Sequence, residues 1–159
     1  MDKRSPLTAL LWSFAAAGLG QLYNRDYIIA FALLGWEAIL NLMSHLNRSL
    51  FYTFQGKFIH AHDVVNYEWG VFYPSIWAFS MWQAYNCARN KKEGGTSKKP
   101  ELTGLFLGAV VGMNTGVMFP LSVTSYIGIQ MFFSPVISGT SIRILGAFLG
   151  YQTEKWIKK

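Results

Sequence analysis

The residues of this chain with the clearest chemical potential are His60-Ala61-His62-Asp63, two imidazoles and a carboxylate within four positions. Those groups are ordinary ligands for a divalent transition metal. On a helix, however, His60 and His62 point about 200 degrees apart and reach one ion only from extended or irregular backbone. They are weak metal candidates, and solvated histidines are the plainer reading. Glu37 and Arg143 stand in otherwise apolar stretches, where an unpaired charge costs at least about 2.5 to 3.5 kcal/mol if the stretch is membrane-inserted. They pair with each other, face a wet interior, or, for Arg143, reach toward a nearby interface. Functionally, Glu37 is a candidate proton or cation site with Asn41 one helical turn on, and structurally the two charges fix helix register. Ser134-Pro135 and Ser138-Gly139-Thr140-Ser141 interrupt the last apolar stretch. Such a break exposes backbone groups for a substrate, with Asn114 completing the site, or it is a simple proline kink.

Cys87, the single cysteine, excludes an internal disulfide and any multi-cysteine metal site. It has no identifiable histidine base, and glycine-rich phosphate loops and paired catalytic carboxylates are missing. No catalytic residue and no cofactor are therefore expected, and the chain is not read as an enzyme. Asn47-Arg48-Ser49 satisfies a glycosylation sequon, relevant only in a secretory pathway.

The elements that must position these residues follow from composition. With 52% hydrophobic and 14% charged residues, the chain departs from the globular norm of about 25% charged. Its charges cluster in 1–4, 89–101 and 153–159. The net charge of +6 flanks apolar runs instead of forming a continuous stripe, so it points to lipid head groups and not to nucleic acid. A bilayer core takes about 20 apolar residues at helical rise. Five segments are candidates: 7–23 and 27–43, joined by Asn24-Arg25-Asp26; 70–88; 102–121; and 126–150. The short apolar stretch before Ala15-Ala16-Ala17 argues for an uncleaved first helix over a signal peptide. Between the second and third spans, Phe51, Phe54, Phe58, Ala61 and Val65 recur at steps of three and four, which predicts one amphipathic helix on the membrane surface.

Gly104, Gly108, Gly112 and Gly116 recur every four residues and share one helix face, with Gly146 and Gly150 as a matching pair on the fifth span. Faces without side chains let backbones approach closely. The faces serve either packing of the fourth span on the fifth or self-association.

The expected fold is thus an all-α polytopic integral membrane protein, with about five transmembrane helices plus one interfacial amphipathic helix. Its parts are a hairpin over 1–43, the interfacial segment 44–69, the third span 70–88, a basic linker 89–101 and a glycine-rich two-helix hairpin over 102–159. Lys and Arg concentrate in the linker and C-terminus, placing both on the cytoplasmic side, with the N-terminus outside if five segments cross. Compact loops suit a bacterial cell membrane.

Residues 5–35 run Ser-Pro-Leu-Thr-Ala-Leu-Leu-Trp-Ser-Phe-Ala-Ala-Ala-Gly-Leu-Gly-Gln-Leu-Tyr-Asn-Arg-Asp-Tyr and then apolar to Gly35. With Gly18, Gly20 and Tyr23 before a polar turn holding Arg25 and Asp26, this stretch resembles the TM2-domain family of two-helix membrane hairpins. The resemblance implies a hairpin and a cytoplasmic turn, not an activity. The expected role is a structural or interaction subunit of a membrane assembly, whose partners are the lipid bilayer and a protein or second copy held through the glycine face. The alternative is a small carrier or channel subunit with Glu37, Asn41, Asn114 and Arg143 along a polar path.

Overall fold

The computed structural model describes residues 4–94, 99–119 and 128–158, and every regular element among them is helical. Helix α1 (Pro6–Ala15) starts on Ser5, whose hydroxyl accepts the Thr8 N–H, with Pro6 at the first helical position where a missing N–H costs nothing. It stops after about 15 Å. Ala16 turns extended and Gly18 adopts φ +102°, a backbone state open to glycine at little cost. A Cβ at Gly18 would also lie 2.6 Å from the Ala30 carbonyl oxygen.

Beyond this turn α2 (Leu19–Tyr23) runs back along α1. Gly20 packs on Ala9 and Ser13, the Ser5 N–H reaches the Tyr23 hydroxyl (3.2 Å), and Arg4 donates to the Asn24 carbonyl (2.7 Å). The chain therefore returns at residue 24 to the end of the molecule where it began. This corrects the expectation of one rod over 7–23: the left-handed glycine folds the segment in two.

Helix α3 (Tyr27–Ser44) then runs about 27 Å to the opposite end. There the Asn66 N–H meets the Ser44 carbonyl (3.0 Å). The predicted surface helix is instead three short ones, α4 (Leu46–Phe54), α5 (Phe58–Asp63) and α6 (Tyr67–Gly70). Gly56, at φ +71°, breaks the register, and the Ser49 hydroxyl ties α4 to the Ala61 carbonyl (2.7 Å). The apolar stripe splits accordingly: Ala61 and Val65 are buried whereas Phe51 and Phe54 are exposed.

Helix α7 (Tyr73–Lys92) returns over about 30 Å and extends through Arg89–Lys92, the expected start of the linker. Helix α8 (Thr103–Met118) runs away again, antiparallel to α7: the Trp82 indole donates to Thr103 (3.2 Å), and Phe106 packs with Ala78 and Met81. A 3-10 turn (Gln130–Phe133) leads into α9 (Pro135–Ile157), which lies antiparallel on α8 and forms its most extensive contact. Ser134 is the N-cap of α9 and Pro135 its first residue, so the proline starts the helix and does not kink it. Ser138 to Ser141 are ordinary helix interior, which corrects the expected broken helix.

Helix α7 is central, with α1, α2 and α3 on one flank and α8 backed by α9 on the other. By length and apolar composition one helix, α3, qualifies to cross a bilayer; α1 and α8 are apolar but shorter.

Candidate functional site

The densest polar cluster surrounds the α1–α2 turn and centres on Gln21, which is fully buried. Its side-chain amide donates to the Ser80 carbonyl and to Gln83, both at 2.8 Å, while its oxygen accepts from Ser13 (3.3 Å) and Ser80 (3.1 Å). The Gly18 N–H adds a bond to the Ser80 hydroxyl (3.0 Å), and the Trp77 indole caps the Phe14 carbonyl (3.1 Å). Backbone groups freed by the helix break are thus met by side chains of α7, as a helix end in an apolar interior requires. Sequence reasoning missed this cluster. The available signal was the row of small residues Ser80, Ala84 and Ala88 at four-residue steps on α7, all fully buried, with Ala84 and Ala88 forming the seat for Ala9 and Tyr23.

One turn toward the chain's starting end, Asn24 donates to the Ala84 carbonyl (2.8 Å), and Lys91 reaches the Asn24 carbonyl (2.6 Å) and the Asp26 carboxylate (2.9 Å). The Cys87 thiol donates to the other Asp26 oxygen (2.9 Å). Burial works to raise the Asp26 carboxyl, but these bonds and the Lys91 charge outweigh it and hold the group below the ordinary carboxylate range.

Glu37 lies on the other side of the turn. One carboxylate oxygen accepts from the Tyr73 hydroxyl (3.2 Å). The second oxygen is buried and finds no partner among the described residues, and the same holds for the Asn41 side-chain oxygen four residues on. Arg143 does not pair with Glu37. Its guanidinium stacks over the Trp77 ring at 4.7 Å, a cation–π contact. Tyr73 and Trp77 are four apart on α7, so the acid and the base address one face of that helix at successive turns. Asn114 lies apart on α8, and its oxygen, like the fully buried Ser138 hydroxyl on α9, finds no partner among the described residues. The four polar positions therefore do not line one path: Glu37 and Asn41 lie on α3, Asn114 on α8 and Arg143 on α9, and no hydrogen bond or ion pair joins the four among the described residues.

Along α8 and α9 the glycines bring backbone against backbone. A Cβ at Gly104, Gly108, Gly112 or Gly116 would run into the carbonyl oxygen of Gly150, Gly146, Ile142 or Ser138 in turn, and Gly146 and Gly150 face Gly108 and Gly104 reciprocally. This face is used inside the chain, where α8 and α9 pack through it. His60 and His62 share the short α5, where His62 contacts Asp63 (3.2 Å). Among the described residues no three His, Cys, Asp or Glu side chains gather as a metal site.

The arrangement can clamp a helix break at depth and present one carboxylate oxygen with free acceptor capacity. Comparison with protein-family models, with curated protein sequences and with solved structures returns no match for this chain.

Proposed function

We propose that this chain is a polytopic membrane protein with four crossings, α3, α7, α8 and α9, and a re-entrant α1–α2 hairpin, serving as a structural or interaction subunit without enzymatic activity. The observation that carries this reading is the disposition of apolar surface. Large apolar side chains point outward along α3, α8 and α9, the helices that surround the central α7, with Ile28 89%, Leu42 73%, Val111 66% and Leu149 64% exposed. Each would contribute about 1.5 to 3 kcal/mol if removed from water, and such continuous faces mark a lipid or protein environment.

Several polar residues of these helices turn inward: on α7, Ser80 and Gln83 to Gln21 and Asn86 to the Glu101 carbonyl; on α9, Glu154 to the Gly104 N–H. Composition therefore understates how apolar the outer faces of these helices are. A broken backbone at depth is tolerable because protein, not lipid, surrounds it.

Charge supports the orientation. Arg4, Arg25, Arg89, Lys91, Lys92, Lys99, Lys155 and Lys158 share one end of the molecule, eight of the described basic residues against Arg48 and Lys57 at the other. The positive-inside rule then puts the N-terminus, linker and C-terminus together in the cytoplasm. The likeness to TM2-domain hairpins rests on Gly18, Gly20 and Tyr23, positions that here turn the chain and seat it on α7. The test is alkaline carbonate extraction of native membranes: the protein stays in the pellet, and its release into the supernatant would defeat the reading.

A carrier role is the second reading, favoured by the unpartnered acceptors of Glu37 and Asn41 beside the hairpin tip. If it holds, Glu37→Gln abolishes cation or proton uptake in proteoliposomes while folding is retained, and unchanged uptake removes it.

A further inference from the structure

The outer side of the α8–α9 pair carries a groove of about 580 Å³. Its floor is the backbone of Gly104 and Gly108, its walls include Leu107 and Val111, and Lys99 and Lys158 stand at its mouth. From Thr103 to Val111 it runs roughly 12 Å along α8. Glu154 also borders it, but that carboxylate is engaged by the Gly104 N–H (2.7 Å) and by Lys158, leaving the mouth with net positive charge.

We propose, resting on the membrane reading above, that this groove binds an anionic phospholipid of the cytoplasmic leaflet, its phosphate on Lys99 and Lys158 and an acyl chain over the glycine floor. Charge selects this occupant. A second copy in the same bilayer has the same orientation, so two-fold packing through the groove brings these lysines against their own counterparts. A protein-wide coating of neutral lipid explains the apolar walls but leaves Lys99 unused and Lys158 with Glu154 alone, whereas anionic head groups are attracted by juxtamembrane basic residues.

Spin-labelled phosphatidylglycerol and phosphatidylcholine, each added to phosphatidylcholine vesicles holding the full chain, read the preference by electron paramagnetic resonance. The wild type favours phosphatidylglycerol about fivefold or more, the contribution of one surface lysine. The double variant Lys99→Gln, Lys158→Gln loses that preference, and Arg48→Gln, Lys57→Gln at the opposite end keeps it. Equal association of both lipids with the wild type overturns the proposal, as does a preference that survives in the first variant or vanishes in the second. Filling the groove with Val111→Trp lowers phosphatidylglycerol association. If it instead shifts the sedimentation of the detergent-solubilised protein from dimer to monomer, the occupant is a second copy and the lipid proposal is wrong. A chain released by carbonate fails the membrane reading, whereas an inserted chain without lipid preference fails only this one.

Discussion

Replacing Gly112 by alanine tests the backbone contact of α8 and α9 with the smallest possible perturbation. The added Cβ would sit 2.5 Å from the Ile142 carbonyl oxygen and 3.1 Å from the Arg143 Cα. Ordinary contact begins near 3.4 Å, so the helices must part locally by about 0.9 Å. A gap of that size forfeits a quarter to a half of each dispersion contact it opens, and overpacking of this kind costs about 1 to 3 kcal/mol. Gly35 supplies the control. It lies inside α3 with no atom within 4 Å of an added Cβ, and alanine there improves helix propensity by up to about 1 kcal/mol. Unfolding of the detergent-solubilised variants by sodium dodecyl sulfate, followed by circular dichroism, should place Gly112→Ala below the wild type and Gly35→Ala at or above it. If Gly112→Ala is as stable as the wild type, the helices do not meet through their glycine backbones and the reasoning fails.

Gln21→Leu removes four hydrogen bonds at the hairpin turn and strands the Ser80 and Gln83 groups, so a loss of about 1 to 3 kcal/mol is expected in the same unfolding assay. No loss would mean that the turn is not held by this network. Because Asp26 is depressed in the folded chain, its stabilisation is complete above the usual carboxylate value of 3.8 and disappears as pH falls through the lower folded value. Asp26→Asn is therefore destabilised at neutral pH and loses less stability on acidification than the wild type; parallel acid profiles would contradict the assignment. Phe54→Ser, at a side chain 83% exposed on α4, leaves detergent stability within about 0.5 kcal/mol but weakens membrane-surface contact, measured as reduced quenching by brominated lipid of a dye on a cysteine placed at the neighbouring residue 55.

Much of the helical architecture was legible because apolar length and glycine spacing act locally. The antiparallel pairing of Gly104 with Gly150 and Gly108 with Gly146 follows from four-residue spacing on two neighbouring helices. The hairpin turn was not legible. The run Trp12-Ser13-Phe14-Ala15-Ala16-Ala17 has no proline and leads to a single glycine, Gly18, of a kind that apolar helices often carry, and the bend is stabilised by distant partners, Ser80, Gln83 and Ala30, that sequence order does not bring near. Likewise the surface stripe from Phe51 to Val65 has helical spacing, yet Gly56 and the Ser49–Ala61 bond fold it on itself. Glu37 and Arg143 invited pairing because both are charged and buried in apolar sequence. Tyr73 meets one oxygen of Glu37 and the Trp77 ring meets Arg143, and aromatic partners of this kind leave little mark in the spacing of charges.

The four-crossing arrangement is tested most directly by cysteine labelling in sealed, right-side-out vesicles, with Cys87→Ser as background and single cysteines at residues 4, 57, 92 and 158. A membrane-impermeant maleimide should label residue 57 and leave residues 4, 92 and 158 protected until the membrane is opened. Labelling of residue 4 together with residue 57 in intact vesicles would mean that the first segment crosses the bilayer, contradicting the re-entrant hairpin.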